Sequence, residues 1–460
     1  MYISMLPKNL KYGSRVESAP AKSYRSNIAP QNGTGTYGLG DTIIVNIPTR
    51  SNLCLVPSES YLKFNFSATN GATVNNDLRW DSCGAHGIIQ GIRIFHGANL
   101  LQDIDNYGLL AKLLFDLQVS TDASYGKYNI LCGTRNDLIV TTPTVTAVAD
   151  ISAKSLSANQ INSGDAIVKV ADALAASTDT TAITYCLNLI SLLGSLCSQN
   201  YLPLFACTSA PLRMEIQLVD AANKACANLT AVSGIKVSNC EYVANFIELS
   251  DQAMSIVQGS LQGQPLQFVV PDYRNYQFSY SLGTSATQVQ MPIAAKFSSL
   301  KSLFITVRDK GTGADAYFPF SSCSKKITDY TFRVGSQLMP PKAPTTLPEM
   351  FSEVLKAIGS MSDLNHQPSI EKYSYSLQDS AAHTADAKTS SGSFYIGLDL
   401  ENYANAPKDS IFAGYNSNTD DIYCIMNFGA QASATTTRFD AFALFDEVIV
   451  FENNTAFCRY

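Results

Sequence analysis

The sequence of 460 residues has little charge and lacks the short motifs that carry catalysis or phosphate binding. Charged residues make up 15% and hydrophobic residues 46%, which is typical of globular rather than disordered chains. The formal net charge of −6 argues against nucleic-acid binding by the chain as a whole, because such binding depends on clustered lysine and arginine. There is no Gly-Lys-Ser/Thr loop, no His-Glu-x-x-His pair and no Gly-x-Ser-x-Gly turn.

Paired cysteines and a long apolar run are also lacking. The eleven cysteines are scattered without any Cys-x-x-Cys pair, which favours free, buried thiols. The first sixteen residues lack the apolar core of a signal peptide, so we expect folding in a reducing host compartment. The uncharged residues 180–212 are interrupted by Asn188, Gly194 and Pro203, and we predict a buried segment there rather than a membrane span.

Metal and catalytic side chains are equally sparse. Four histidines stand at no spacing used by metal ligands: His86, His96, His366 and His383. We expect His86 and His96, which flank a predicted strand, to be structural or exposed. Asp103 and Asp105 form a carboxylate pair in sequence, but their position predicts capping of a helix. We therefore predict no enzyme activity, no cofactor and no metal; a carboxylate pair assembled from distant positions is the alternative left open.

One glycine-rich stretch, NGTGTYGLGDTIIVNIP at residues 32–48, matches the Gly-x-Gly-x-x-Gly pattern of dinucleotide-binding loops. That pattern binds a pyrophosphate where a strand precedes it and a helix follows it. Here no clear strand precedes it, and the β-branched residues 43–47 before Pro48 predict a strand. We interpret the glycines as a hinge between an N-terminal arm and the first strand of a β domain.

Strand patterns dominate after residue 40. Alternation is clearest in LRMEIQL at residues 212–218. Further strands are predicted at residues 43–47, 61–66, 88–95, 242–249, 266–271, 276–280, 289–291, 303–307, 330–334 and 439–451. Two helices are predicted, at residues 103–116 with acids in the first turn and at residues 348–358 with proline at the start.

The two halves of the chain repeat the same order of features. VNIP at residues 45–48 and VQMP at residues 289–292 each end a strand at proline. Each is followed by further strands, a helix, a loop rich in Ala, Ser and Thr (residues 140–182 and 378–392) and closing strands. We predict two tandem β domains, residues 41–258 and 259–460. Jelly rolls fit this pattern better than propeller blades or immunoglobulin domains.

Residues 1–40 are polar and rich in Gly, Ser, Asn and Pro, and they contain five basic residues against one acidic residue. We predict an extended basic arm, with an ordinary flexible terminus as the alternative. The five basic residues of this arm are Lys8, Lys11, Arg15, Lys22 and Arg25.

Several stretches, taken in order, resemble one known family. GIIQGIRIFHG at residues 87–97, running into residues 101–107, resembles a strand-to-helix passage in that family's first half. LLG at residues 192–194, YLPLF at 201–205 and PLRMEIQL at 211–218 resemble a later passage of the same domain, and YTFRVGS at 330–336 resembles one in the second half. The family is that of the double jelly-roll major capsid proteins of tailless icosahedral DNA viruses, which include adenoviruses, virophages and polinton-like viruses.

The resemblance implies an all-β chain of two tandem eight-stranded antiparallel jelly rolls with short inserted helices and long loops. It implies a structural major capsid protein of the virion, whose pseudo-hexameric homotrimers tile an icosahedral capsid. Implied partners are further copies, neighbouring capsomers, and penton and minor capsid or cement proteins. Loops 140–182 and 378–392 would form outer towers. The arm, with its five basic residues, would lie at the inner face of the shell and contact neighbouring capsomers, minor proteins, an internal membrane or the packaged genome. The alternative is a two-domain β adhesin, spike or carbohydrate-binding module.

Overall fold

The computed structural model describes residues 21–33, 35–70, 78–134, 167–168, 183–198, 200–221, 224–225, 232–261, 264–309, 319–359, 361, 366–378, 391–402 and 413–459. The predicted tower loops lie outside the described residues except for 167–168, 378 and 391–392. Lys8, Lys11 and Arg15 also lie outside them.

The described residues form strands and helices in the order that the two predicted domains require. The first half contains β1 (Ala21–Ile28), β2 (Thr36–Tyr37), β3 (Thr42–Ile47), β4 (Leu53–Leu55), β5 (Tyr61–Asn70), β6 (Leu78–Arg79), β7 (Ile89–His96), β8 (Asn99–Asp105), β9 (Ile167–Val168), β10 (Ile183–Leu187), β11 (Leu212–Leu218) and β12 (Val232–Leu249). The second half contains β13 (Leu266–Leu282), β14 (Thr287–Ile293), β15 (Leu300–Asp309), β16 (Ile327–Val334), β17 (Gln337–Met339), β18 (Tyr395–Asp399), β19 (Ile422–Phe428), β20 (Thr435–Glu452) and β21 (Thr455–Arg459). The helices are α1 (Tyr107–Gln118), α2 (Thr121–Tyr125), α3 (Lys127–Cys132), α4 (Asp251–Leu261), α5 (Leu347–Ala357) and α6 (Lys372–Ser376).

Eight strands of each half build two antiparallel sheets with four strands in each. In addition, β2 and β4 pair with β12, β21 pairs with β20, and β6 pairs with β9. In the first half the strand orders are β1–β12–β5–β10 and β3–β11–β7–β8. In the second half they are β13–β20–β15–β18 and β14–β19–β16–β17. When the eight strands of each half are counted in chain order, both halves have the strand orders 1–8–3–6 and 2–7–4–5. Each half is therefore an eight-stranded jelly roll, and the predicted fold class is confirmed.

Alternating apolar side chains fill the space between the two sheets of each jelly roll. Met214 on β11 lies opposite Val45 on β3 and Ile94 on β7, and all three side chains are fully buried. Because successive residues of a strand point to opposite faces, the polar residues between them face outward. The prediction of a strand at residues 212–218 is confirmed to the residue.

The same hairpin occurs in both halves. The turn between β7 and β8 begins at Gly97 and the turn between β16 and β17 at Gly335, each with a φ of 58°. Such a backbone conformation favours glycine, because a side chain would be strained there. The segments FHGANL at residues 95–100 and RVGSQL at residues 333–338 are thus equivalent elements of the two jelly rolls.

The structure corrects the end of the predicted arm. Residues 21–28 are β1, which pairs along its whole length with β12, from Ala21 opposite Leu249 to Ile28 opposite Tyr242. The glycine hinge therefore connects two strands of one jelly roll. The sequence AKSYRSNI lacks apolar alternation because an edge strand has one neighbour and is largely exposed. The predicted domain division at residue 258 falls within α4 and stays a prediction.

The structure also corrects the start of the first helix. Asp103 and Asp105 lie on β8 and do not cap α1; Asp103 instead faces Arg93 across the hairpin at 3.0 Å. Pairing with β7 extends the strand to Asp105, and α1 begins after Asn106. The second helix, α5, begins one residue before its predicted start, with a capping box formed by Thr346 and Glu349.

Two hydrophobic cores differ in extent. One fills the second jelly roll, whereas the other fills the first jelly roll and continues onto the outer face of the second. As a result, β20 is buried on both faces: between residues 439 and 451 only Leu444 and Val448 are partly exposed. The equivalent strand β12 is less enclosed, since Asn245, Ile247 and Leu249 on its outer face remain half-buried.

The segment predicted to be buried lies in the first core, with Leu187, Leu189, Leu192 and Leu193 almost inaccessible to solvent. In the described part of the chain, no helix combines the length and the apolar character needed to cross a bilayer. The ten described cysteines are free thiols, eight of them buried.

Candidate functional site: the junction between the jelly rolls

The two jelly rolls meet along one junction. The β7–β8 hairpin and α1 of the first half lie against the outer face of the β13–β20–β15–β18 sheet of the second half. Gln102 on β8 donates to the Asp272 carboxylate at 2.7 Å and accepts from the Leu192 backbone at 2.7 Å. Asn106, which precedes α1, donates to the side chain of Asn275 at 2.8 Å. The junction therefore contains buried polar contacts that fix the register of the two jelly rolls.

A buried charge cluster lies where α1 faces the second half. The Lys112 ammonium is fully buried and contacts Asp116 at 2.9 Å, Asp81 at 3.3 Å and the Ser82 hydroxyl at 3.0 Å. Burial by itself would lower the pKa of Lys112, but the adjacent carboxylates, Asp116 first, outweigh burial and raise it above its ordinary value. Lys112 therefore stays charged, held by its hydrogen bonds.

The second half completes this cluster. The Tyr395 hydroxyl donates to Asp116 at 2.6 Å and the Ser393 hydroxyl donates to it at 2.7 Å. Burial, followed by the Asp116 charge, raises the pKa of Tyr395 well above its ordinary value, so the phenol keeps its proton. A single carboxylate of the first jelly roll thus fixes two side chains of the second.

An aromatic ring from the second half fills a recess in the first. A Cβ atom added to Gly108 would lie 2.7 Å from the Phe320 ring, and one added to Gly87 would lie 2.9 Å from it. The Phe320 amide also donates to Asp81 at 3.3 Å. The Phe320 ring approaches the backbone of both glycines so closely that any side chain at these two positions would displace the ring.

The strand β21 ties the second half to the first hairpin. The His96 Nδ1 atom accepts from the Ala456 amide at 3.1 Å, so its Nε2 atom carries the hydrogen that faces the Cys207 carbonyl at 3.1 Å. Asn99 donates to the Ala456 carbonyl at 3.1 Å. His96 is structural, as predicted. His86 is also buried, and burial lowers its pKa to about 3.

The junction contains a carboxylate pair from distant positions, Asp272 on β13 and Glu447 on β20. Val270 on β13 lies opposite Glu447 on β20. Asp272, two residues after Val270, is therefore the diagonal neighbour of Glu447 on the same face of the sheet. Burial raises the pKa of Asp272 to about 6, and burial together with the Asp272 charge raises the pKa of Glu447 to about 8. Among the described residues, Asp272 Oδ2 and Glu447 Oε1 are buried without a hydrogen-bond partner. Both carboxylates are enclosed, since the Asp272 and Glu447 side chains are almost inaccessible to solvent.

An open cleft of about 530 Å³ lies elsewhere, between α3 and β10. Its described lining includes His86, Phe115 and Tyr128 but a single carboxylate, Glu59. Glycosidases need two carboxylates flanking the bond that is cleaved, so this lining does not provide their arrangement. Within the described ranges, no group of three or more His, Cys, Asp or Glu side chains is placed to hold a metal ion.

The structure describes two of the five basic residues of the predicted arm. Lys22 and Arg25 are exposed on β1, where Arg25 stacks over the Tyr61 ring at 5.7 Å. The other three basic residues lie outside the described chain.

The charge cluster was not found from the sequence, although one signal exists: Lys112 interrupts the apolar run LLAKLLF. A lysine at such a position indicates a buried partner, but the identity of that partner requires the tertiary structure.

No protein-family model matches the sequence, and no curated protein matches it. Solved structures do match. VP54 of PBCV-1, fitted into a cryo-EM reconstruction of the virophage Sputnik, is 10% identical with a TM-score of 0.61, over 98% of this chain and 99% of that chain. The mavirus major capsid protein is 12% identical with a TM-score of 0.55, over 99% and 93% of the two chains. The Faustovirus major capsid protein is 10% identical with a TM-score of 0.54, over 96% and 92%.

The chain has the fold of these major capsid proteins. The resemblance read from its short sequence stretches is thereby confirmed for the fold. The double jelly roll extends over nearly the whole chain, and the junction lies between its two repeats.

Proposed function

We propose that the chain is the major capsid protein of an icosahedral DNA virus and resides in the virion. Its homotrimers would form pseudo-hexameric capsomers that tile the capsid. The observation that carries this proposal is the side-by-side arrangement of two equivalent jelly rolls, found also in capsid proteins that match over almost their full length.

The junction provides what ring closure requires. Three copies would present six jelly rolls around one axis, and a head-to-tail ring closes only when every contact turns the next unit by a suitable angle. The Lys112 cluster, the Phe320 ring in its glycine recess and the Asp272 contact set the angle within each chain. A flexible linker between the jelly rolls would leave this angle undefined.

The basic arm would act outside the capsomer. Lys8, Lys11 and Arg15 would contact neighbouring capsomers, minor or cement proteins, an internal membrane or packaged nucleic acid, whereas Lys22 and Arg25 would act from exposed positions on β1. So few charges give a weak attraction that salt screens. Penton proteins are further partners in this proposal.

The alternative of a two-domain adhesin or carbohydrate-binding module has less support, because the full-length matches are to capsid proteins. An enzymatic role is not proposed.

Light scattering of the purified protein, together with class-averaged electron micrographs viewed down the particle axis, tests the proposal. We expect three chains per particle and a nearly hexagonal outline. A monodisperse monomer at micromolar concentration would contradict it.

A further inference from the structure

The open cleft of about 530 Å³ between α3 and β10 has no part in the proposed capsid function. Sites for small molecules typically have volumes of about 300–1,000 Å³. Most of the described lining is apolar, and the charged side chains of Glu59 and Lys127 are exposed at the mouth of the cleft. The lining belongs wholly to the first jelly roll, so binding there would not require association between copies of the chain.

One edge of the His86 ring is fixed by the protein. The Tyr107 hydroxyl lies 2.9 Å from His86 Nδ1 and accepts a hydrogen bond from the Ile190 amide at 2.9 Å. Burial raises the pKa of Tyr107, so the phenol keeps its proton, and among the described residues His86 Nδ1 is the only acceptor that this proton reaches. Burial also keeps His86 neutral by lowering its pKa to about 3. Since Nδ1 accepts, the neutral ring carries its hydrogen on Nε2.

The other edge of the His86 ring opens into the cleft. His86 lines the cleft and Tyr107 does not, so the edge that reaches the cleft is the one that carries Nε2. No described residue accepts a hydrogen bond from Nε2, although His86 is only 2% exposed. An enclosed donor without a partner is costly, because it has lost most of its contact with water. The cleft therefore favours a ligand that brings an acceptor to this nitrogen.

Aromatic rings stand beside this donor. The Phe115 ring lies 5.4 Å from the His86 ring and 5.0 Å from the Tyr128 ring between centroids, and it meets Tyr128 edge to face. Walls of this kind accept planar aromatic groups in offset or edge-to-face contact. Because the donor inside the cleft is a neutral imidazole, an anion there would lose its hydration without gaining a cationic partner.

We propose that the cleft binds an uncharged, mainly aromatic small molecule whose carbonyl or ether oxygen accepts a hydrogen bond from His86 Nε2. The aromatic body would pack against Phe115 and Tyr128. The bound molecule would connect α1 and α3 with residues 58–61 and β10, all of which contribute to the lining. Because the site exists in the folded state alone, occupancy should raise the melting temperature.

Benzophenone and diphenylmethane form a matched pair of probes, because they share two phenyl rings and differ in the carbonyl oxygen. On irradiation, the ketone of benzophenone adds across a nearby C–H bond, so mass spectrometry of labelled peptides locates the bound molecule. We expect labels within residues 114–119 and 127–132, which include lining residues of α1 and α3. Labels confined to other surfaces would overturn the proposal.

Competition for this labelling measures the hydrogen bond. One hydrogen bond in an enclosed site should make benzophenone bind about tenfold more tightly than diphenylmethane, which would leave Nε2 unpaired. Equal affinities would overturn the assignment of an acceptor to the ligand.

A second pair of probes tests the charge of the ligand. 4-Benzoylbenzoate and 4-methylbenzophenone carry a substituent at the same ring position, and the first of them is an anion. We expect the anion to bind more weakly than the methyl compound. Equal or tighter binding of the anion would overturn the assignment of an uncharged ligand.

The variant His86→Phe keeps an aromatic ring but removes the Nε2 hydrogen, so it should bind benzophenone and diphenylmethane with equal affinity. Its melting temperature without probe also reports the lost contact with Tyr107, whereas the ratio of the two affinities reports the donor alone. A preference for benzophenone that persists in this variant would overturn the role of His86.

A third measurement leaves His86 intact. Ser198→Trp places a ring at an exposed position of the lining and should abolish labelling of the cleft. Ser285→Trp, at an exposed position in the turn after β13, is the matched control and should be labelled like the wild-type protein. Undiminished labelling of residues 114–119 and 127–132 in Ser198→Trp would show that benzophenone binds outside the cleft.

Discussion

The Tyr395 hydroxyl lies 2.6 Å from the Asp116 carboxylate, although 279 residues separate them in the chain. The bond joins β18 of the second jelly roll to α1 of the first. Because the same carboxylate binds Lys112, the relative placement of the two jelly rolls depends on a charge cluster enclosed between them.

Replacing Lys112 with methionine should destabilise the protein strongly. The change leaves the buried Asp81 and Asp116 carboxylates without their cation, and removing one partner of a buried ion pair costs about 3–5 kcal/mol. The loss should appear as a lower free energy of unfolding in urea.

A matched control is Lys224→Met, which removes an exposed lysine that pairs with Asp220 four residues away. Exposed pairs of this kind contribute less than about 1 kcal/mol. Equal losses in the two variants would show that the buried cluster has no special role.

Replacing Gly108 with alanine should destabilise the protein although glycine is a poor helix former. Alanine gains up to about 1 kcal/mol of helix propensity, but the new Cβ would lie 2.7 Å from the Phe320 ring. Overpacking of this kind costs about 1–3 kcal/mol, so the net effect should be a loss. Thermal unfolding measures it.

Gly259→Ala in α4 is the control, because no atom lies within 4 Å of an added Cβ there. It should raise the melting temperature. A rise for Gly108→Ala as well would show that Phe320 moves aside without cost.

The junction should weaken as pH rises. The pKa of Glu447 is raised by burial from 4.5 to about 8, so the folded state retains a proton that the unfolded chain releases between those values. The resulting stabilisation is complete below pH 4.5 and is lost as pH rises to about 8; Asp272 acts in the same direction from 3.8 to about 6. Urea unfolding across this range should show a falling free energy of unfolding.

Glu447→Gln, which is neutral at every pH, should flatten the upper part of this dependence, whereas Glu452→Gln at an exposed position should not. An unchanged slope in Glu447→Gln would assign the pH dependence to other groups.

Deletion of residues 1–28 should lower stability by several kcal/mol, at about 1 kcal/mol for each backbone hydrogen bond. The deletion removes β1 and its pairing with β12. Deletion of residues 1–20 retains β1 and serves as the comparison. If both deletions cost the same, the effect would not arise from β1. Shell assembly by the variant that lacks residues 1–20 tests the proposed role of the arm.

Elements with a local signal could be predicted from the sequence. The strand at residues 212–218 has strict alternation, and the helix near residue 348 has proline and a capping box, so both were placed within one residue. The edge strand β1 was missed because an exposed strand needs no apolar pattern. Asp103 and Asp105 were misplaced because pairing with β7 outweighs their preference for a helix start.

The junction could not be predicted in the same way. The position of Lys112 within an apolar run indicates burial, yet its environment includes Ser393, 281 residues away. Likewise Asp272 and Glu447 become neighbours only when β13 pairs with β20. Contacts of this kind depend on register between distant strands, which short patterns do not encode.

The double-sided burial of β20 has a consequence for biosynthesis. A ribosome releases the first jelly roll before β20 exists, and the outer sheet of that half, with Ser23 and Arg25, tolerates water while translation continues. The reverse order would expose Phe304 and Phe442 on a nascent chain with nothing to cover them, a state prone to aggregation. In the observed order, the first jelly roll precedes Phe304 and Phe442 in the chain and is available to cover them when they leave the ribosome.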